Sequence, residues 1–119
     1  MQENSIWTVC VGADKKTSQG CVELAERHEN IFASVGLHPT DSGENFDIDY
    51  YRELAKHPKV VAIGECGLDY CRIKNQELGI KQKNLFIKHI ELALELNKPL
   101  MIHCRDAHDD LIKILNTYY

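Results

Sequence analysis

Val60-Val61-Ala62-Ile63-Gly64-Glu65-Cys66-Gly67-Leu68-Asp69-Tyr70 is the stretch that decides the fold of this chain. Its first four residues are apolar, three of them β-branched, which is typical of a strand buried on both faces. Gly64 and Gly67 flank Glu65 and let the backbone bend sharply beside it. We predict that the strand ends in this carboxylate. Glu65 then either faces water or, if buried, is paired or holds a metal ion.

The same strand lies within a regular alternation of strand and helix patterns. Pro39 and Pro58 interrupt the chain between elements, and Asp47 is placed to cap a short helix. Alternation of this kind predicts an α/β fold with parallel strands, and units of about 30 residues match those of an eight-unit barrel. We therefore expect a partial TIM (β/α)8 barrel of four consecutive units. The predicted strands are 6–11, 31–36, 60–65 and 100–103, and the predicted helices are 18–28, 48–56, 80–96 and one that begins after Asp106.

Length and composition limit the class of protein. The 119 residues are enough for one small domain, taken here as residues 1–119. A net charge of −4 argues against nucleic-acid binding through bulk charge, but not against phosphate binding through metal ions. No apolar run reaches the length of a membrane span, so no membrane partner is expected. Five cysteines without a C-x-x-C pair indicate reduced thiols and a cytoplasmic protein, with Cys66 and Cys71 packed or exposed rather than bound to metal.

Polar residues collect where the predicted strands end. His38, Glu65 and His103 end three different strands. Carboxyl ends of parallel strands share one rim, where the sites of such folds are built. Neutral imidazole and carboxylate suit divalent metal ions, and an arginine fork suits phosphate. The residues that follow the strand ends, and that join the candidate site, are Asp69, Arg105 and Asp106.

Each candidate also has a purely structural interpretation. His38 could bond a loop carbonyl, and His103 could be a satisfied core histidine. Arg105 and Asp106 could pair on the surface, and Asp69 could belong to a turn. Asp106 is further expected to cap the last helix. The remaining helical histidines are expected on the surface or in packing, away from the rim: His28, His57 and His89.

Three segments together resemble one family. They are residues 35–39 (VGLHP), 63–70 (IGECGLDY) and 101–107 (MIHCRDA), and residues 24–26, 31–33 and 108–111 extend the match. In order and spacing they are similar to the TatD family of metal-dependent deoxyribonucleases. The resemblance implies a (β/α)8 metallohydrolase that hydrolyses DNA phosphodiester bonds, often from the 3′ end. It also implies divalent ions, two per complete site, as magnesium, manganese or zinc.

The resemblance assigns roles residue by residue. It implies that Glu65 bridges the metal ions and that His103 is a ligand of the second ion. His38 is then a site-lining histidine near the metals, and Arg105 meets a substrate phosphate. Asp69 and Asp106 are grouped with these site-lining residues. No residue of this chain is assigned the catalytic role.

Some metal-binding residues of the family pattern are missing from this chain. It has no His-x-His pair, and it stops before the family's later histidine ligand and its metal-binding aspartate. We expect a fragment covering roughly strands two to five, inactive alone, which is either poorly stable or self-associates through its open sheet edges. Two alternatives stay open. One is a non-catalytic half-barrel remnant or interaction module, and the other is a metallohydrolase acting on another ester or amide.

Overall fold

Four strands alternate with four helices over the residues that the computed structural model describes, which are 6–71, 73 and 75–119. The strands form one parallel sheet in the order β1-β2-β3-β4, so sequential strands are neighbours. This confirms the predicted α/β class with parallel strands. The elements are β1 (Thr8–Val11), α1 (Lys15–Arg27), β2 (Ile31–Val35), a 3-10 turn (Pro39–Asp41), α2 (Ile48–Ala55), β3 (Val60–Asp69), α3 (Gln76–Leu96), β4 (Leu100–Arg105) and α4 (His108–Tyr118).

The helices bury one face of the sheet in two apolar clusters. The larger cluster joins β2 and β3 to α1, α2 and α3, and includes Val35, Ile63 and Tyr51. The smaller cluster joins β3 to α3 and α4 through residues such as Leu68 and Phe86. Because β3 and α3 belong to both clusters, they connect the two halves of the core. No described helix combines the length and apolarity that crossing a membrane requires.

The opposite face of the sheet carries apolar side chains that nothing in the described chain covers. On β1, Cys10 packs against the helix-side core, so its neighbours Val9 and Val11 point to the other face. Val9 and Val11 are 37% and 40% exposed, and Trp7 is 63% exposed although it stacks on Phe32. This is the face that fills the interior when such a sheet closes into a barrel.

Side-chain caps explain where two helices begin. Asp14 and Thr17 form a capping box at the start of α1, which therefore begins before the predicted residue 18. Asn75 caps α3 by accepting from the backbone N–H of Leu78, so α3 begins four residues before the predicted residue 80. In both places the polar capping residue, and not the first apolar residue, sets the helix boundary.

The last helix has no side-chain cap, and the predicted role of Asp106 is wrong. The residue at the N-cap position of α4 is Ala107. Asp106 has a φ of 54°, a left-handed conformation that aspartate tolerates better than most residues. The chain thus uses Asp106 to turn out of β4. By contrast, Asp47 caps α2 as predicted, by accepting from the backbone N–H of Tyr50.

Strand β3 runs past Glu65 to Asp69, so the prediction that Glu65 ends the strand is wrong. Gly64 pairs with Met101 and Cys66 pairs with Ile102, which leaves Glu65 as an extra residue between two paired positions. Such a bulge re-aims a side chain without ending the strand. Strand β4 likewise continues to Arg105, two residues beyond His103.

Gly67→Ala should lower the free energy of unfolding by more than about 2 kcal/mol. Gly67 has a φ of 138°, and a Cβ there would overlap the carbonyl oxygen of His103 on β4. Gly20→Ala is the matched control, because a Cβ at this position within α1 meets nothing within 4 Å. It should raise the same free energy by up to about 1 kcal/mol, since alanine favours helix. Urea titration followed by circular dichroism measures both, and equal effects would contradict the close approach of β3 and β4.

Candidate metal centre

One carboxylate oxygen of Glu65 is shared by two imidazole rings. The Oε1 atom lies 3.2 Å from Nε2 of His38 and 3.0 Å from Nδ1 of His103. The backbone N–H of Glu65 donates to the carbonyl of Gly12 at 2.9 Å, which fixes the bulge against the end of β1. The side chains of the three residues are 18–30% exposed, so the cluster is open to solvent on one side.

A bond to Thr40 orients the His38 ring. The backbone N–H of Thr40 donates to Nδ1 of His38 at 3.2 Å, so this nitrogen is an acceptor. The other ring nitrogen, Nε2, faces Glu65 and lies 3.2 Å from its Oε1. His38 therefore lies against Glu65, and the alternative, a bond to a loop carbonyl, is not found among the described residues.

His103 stands between two carboxylates. Its Nδ1 faces Glu65, and its Nε2 lies 2.9 Å from Oδ2 of Asp69. Asp69 is 8% exposed, and its other oxygen accepts from the backbone N–H of Cys71 at 3.1 Å. Burial opposes ionisation of Asp69, but the bonds from His103 and Cys71 outweigh it and hold its pKa below the usual value. Asp69 is thus an ionised partner that orients the His103 ring.

The donor set fits a divalent cation. One donor atom each from His38, Glu65 and His103 lies within 4.8 Å of the other two. The 3.0 Å and 3.2 Å spacings are close to the separation of about 3.3 Å between donors of a tetrahedral zinc ion. A neutral imidazole carries one N–H, and the two nitrogens of His103 face two carboxylates. When Nε2 donates to Asp69, the lone pair of Nδ1 lies beside Glu65 and is available to a metal ion. The hydrogen bond to Asp69 is the outer support that metal-bound histidines characteristically have.

A cleft of about 430 Å³ adjoins this cluster. Arg105 and Asp69 lie opposite each other in the register of β3 and β4, and both line the cleft together with Thr40. No ion pair joins Arg105 to Asp106 within the described ranges, so the surface-pair interpretation is not supported. The guanidinium of Arg105 is exposed and available to an anion in the cleft.

Comparison with known proteins places the chain in a family. The profile of the TatD related DNase family matches residues 1–119. The chain belongs to the TatD-related DNase family. An uncharacterized metal-dependent hydrolase of Bacillus subtilis, YabD, is 42% identical over 109 residues, which are 90% of this chain and 42% of YabD. The 3′–5′ ssDNA/RNA exonuclease TatD of Escherichia fergusonii is 38% identical over 109 residues, 90% of this chain and 41% of the exonuclease.

Two solved structures share the fold of this TatD-family chain. The TatD homologue YjjV of Escherichia coli K12 superposes with a TM-score of 0.84 at 24% identity, over 98% of this chain and 49% of YjjV. A TatD-family hydrolase of Entamoeba histolytica gives 0.76 at 24% identity, over 98% of this chain and 42% of its own. The four units accordingly form a half-barrel of the TIM type, as predicted. The chain spans about two fifths of the length of the curated relatives it matches.

Asp106, which the sequence grouped with the site-lining residues, lies outside the cluster of His38, Glu65 and His103. It lines a separate shallow cleft with Tyr70 and His108. The cause is the left-handed backbone at Asp106, which turns the chain away from the rim after β4. Cys66 is buried and Cys71 is exposed, and neither belongs to the group of possible metal ligands found among the described residues.

Helix α3 supplies two buried polar side chains that sequence analysis did not connect with the site. Gln82 accepts from the backbone N–H of Asp69 at 2.8 Å and donates to its carbonyl at 2.9 Å. His89 accepts from the backbone N–H of Leu37 at 2.9 Å and bonds the carbonyl of Leu85 at 2.8 Å. His89 is buried as expected, but it reaches the segment beside His38. In the sequence, Gln82 and His89 are two polar residues seven positions apart within the apolar stripe of one helix, and this pattern could have indicated their buried role.

His89 should make stability depend on pH. Burial lowers its pKa to about 4, so the unfolded chain binds a proton between pH 6.5 and 4 that the folded chain does not. Stability is complete above pH 6.5 and is lost as the pH falls toward 4. Between pH 7.5 and 5 the free energy of unfolding of the wild type should fall by about 2 kcal/mol more than that of His89→Gln. In this variant an amide oxygen replaces the accepting nitrogen.

Urea unfolding at the two pH values measures this difference. The control is His28→Gln, at the exposed end of α1, which should keep the wild-type pH dependence. An identical loss in wild type and His89→Gln would show that His89 is not held neutral in the folded chain.

Proposed function

We propose that this chain contributes part of the metal centre of a hydrolase that cleaves phosphodiester bonds of DNA. The observation that carries the proposal is the oxygen of Glu65 shared by His38 and His103 beside a cleft lined by Arg105. A metal-binding carboxylate next to an exposed guanidinium suits a phosphate diester better than a neutral amide. The family relationship supports the same class of reaction.

The residues take distinct roles in this proposal. Glu65, which has two carboxylate oxygens, would hold a pair of ions, and His103 would be a ligand of one of them. Asp69 holds the His103 ring in place, and His38 lines the site with Nε2 3.2 Å from Oε1 of Glu65. The guanidinium of Arg105 donates hydrogen bonds to a phosphate oxygen of the substrate in the cleft. Bound divalent ions, as magnesium, manganese or zinc, would polarise the phosphoryl group and activate water.

The proposed substrate is DNA attacked from its 3′ end. A relative that is 38% identical is named a 3′–5′ ssDNA/RNA exonuclease, which supports a single-stranded nucleic acid. The net charge of −4 gives the chain no general attraction for phosphates, so affinity would depend on the ions and Arg105. Two protein ligands, Glu65 and His103, seldom retain a pair of metal ions. We therefore expect little catalysis from the 119 residues alone.

A cytoplasmic location is proposed on the basis of the five free thiols.

A chimera tests whether this segment is competent. The 109 matched residues of the Escherichia fergusonii exonuclease are replaced by the corresponding residues of this chain. With manganese, the chimera should shorten single-stranded DNA labelled at its 5′ end. Glu65→Gln should reduce the rate at least about 100-fold, because the amide keeps the shape but loses the charge that holds the ions. Glu26→Gln, at an exposed carboxylate remote from the rim, is the matched control and should retain activity.

Other outcomes favour the alternatives. A folded chimera that binds manganese but hydrolyses only small phosphoesters or amides would support another substrate. A folded chimera that neither binds metal nor hydrolyses DNA would support a non-catalytic remnant. Metal-dependent cleavage by the 119-residue chain alone, lost in Glu65→Gln, would contradict our expectation that the chain is inactive by itself.

We further propose that the 119-residue chain self-associates through β1 and the uncovered face of the sheet. Val9 and Val11 expose apolar surface on this face, and β1 is an edge strand in the described sheet. Val11→Lys should therefore lower the fraction of oligomer at a given concentration, measured by sedimentation velocity. Ile112→Lys is the matched control, since Ile112 is 54% exposed on α4, and it should leave association unchanged. A monomer with one sharp calorimetric transition would contradict the proposal.

A further inference from the structure

Two cysteine sulfurs meet between the first strand and the first helix. The Sγ atoms of Cys10 on β1 and Cys21 on α1 are 2.6 Å apart, and both residues are free thiols. Cys21 is 4% exposed, whereas Cys10 is half-buried on the edge strand. Among the five cysteines, all within the described ranges, this is the one contact between two sulfurs. The metal centre uses neither residue.

We propose that Cys10 and Cys21 are a reversible redox pair, and that oxidation by a peroxide joins them in a disulfide that fastens α1 to β1. The two sulfurs lie on adjacent packed elements, so no large backbone movement is needed. The pair is distinct from a structural disulfide because both residues are free thiols in the folded chain.

The chemistry proceeds in two steps. The Cys10 thiolate attacks one peroxide oxygen, the O–O bond breaks, and Cys10 becomes a sulfenic acid with release of water. Cys21 then loses its proton and attacks the Cys10 sulfur; the S–S bond forms and the hydroxyl group leaves as a second water. The two thiols together give up two electrons and two protons, which reduce one peroxide to two waters. Cys21 is 4% exposed and burial raises its pKa, whereas Cys10 is half-buried on the edge strand, so Cys10 is the sulfur that meets the peroxide first.

The disulfide would close a ring around the segment that supports the metal centre. Gly12 and Ala13 lie inside this ring. The carbonyl of Gly12 accepts from the backbone N–H of Glu65 at 2.9 Å, and that of Ala13 accepts from the backbone N–H of His38 at 2.8 Å. Oxidation would therefore restrain the β1–α1 connection next to two residues of the cluster. Formation of the bond itself does not depend on the proposed hydrolase activity.

Peptide mapping tests the pair directly. The 119-residue chain is treated with one equivalent of hydrogen peroxide, alkylated and digested with trypsin without reduction. Cleavage after Lys15 and Lys16 separates the two cysteines, so their disulfide joins peptide 1–15 to peptide 17–27. We expect this linked pair to dominate, to disappear on treatment with dithiothreitol, and to raise the thermal midpoint by about 5 °C.

Parallel samples make the result decisive. Oxidation in 8 M urea should give a mixture of pairings, and the same mixture in native buffer would overturn the proposal. Cys21→Ser should abolish both the linked peptides and the rise in midpoint. Cys71→Ser, at an exposed cysteine, is the matched control and should keep both. Linkage between two chains, or through peptide 60–72, would also overturn it.

Discussion

Glu65 reaches the cluster of possible metal ligands because β3 carries one more residue than β4 at this point. Gly64 and Cys66 pair with consecutive residues of β4, so Glu65 is excluded from the ladder on that side. The bulge is possible because Gly64 and Gly67 both have positive φ and a Cβ on either would overlap a carbonyl of β4. The two glycines therefore allow β3 and β4 to approach closely. This close approach places Glu65 next to His103.

The rest of the cluster is held through the backbone rather than through the functional side chains. Leu37, next to His38, is bonded by His89, and Asp69 is bonded twice by Gln82. Each of these buried backbone groups would cost about 1–3 kcal/mol if left unpaired. Helix α3 thus uses its burial in the core to position two separate segments of the rim, which explains why its apolar inner face retains two polar residues.

Sequence patterns located the rim but not the contacts within it. The order of strands and helices, and the placement of His38, Glu65 and His103 near one another, follow from local periodicity and the rule for parallel sheets. The bulge does not, because register depends on which residue of β4 lies opposite, and β4 is about 36 residues further along. Nor could the orientation of the His38 ring be inferred, since it depends on the backbone N–H of Thr40.

The geometry of the candidate ligands depends on packing within this chain. The rim contacts all come from its own elements: the Gly12 carbonyl for Glu65, Asp69 for His103 and Thr40 for His38. The arrangement is therefore fixed by the packing of α3 and by two strand pairings, whatever else surrounds the rim. Retaining a divalent ion is more demanding, because a stable site needs four or more donors, and three candidate donor residues come together in the described chain. The order of the candidate site thus follows from packing within the chain, and its affinity for a metal ion is a separate property.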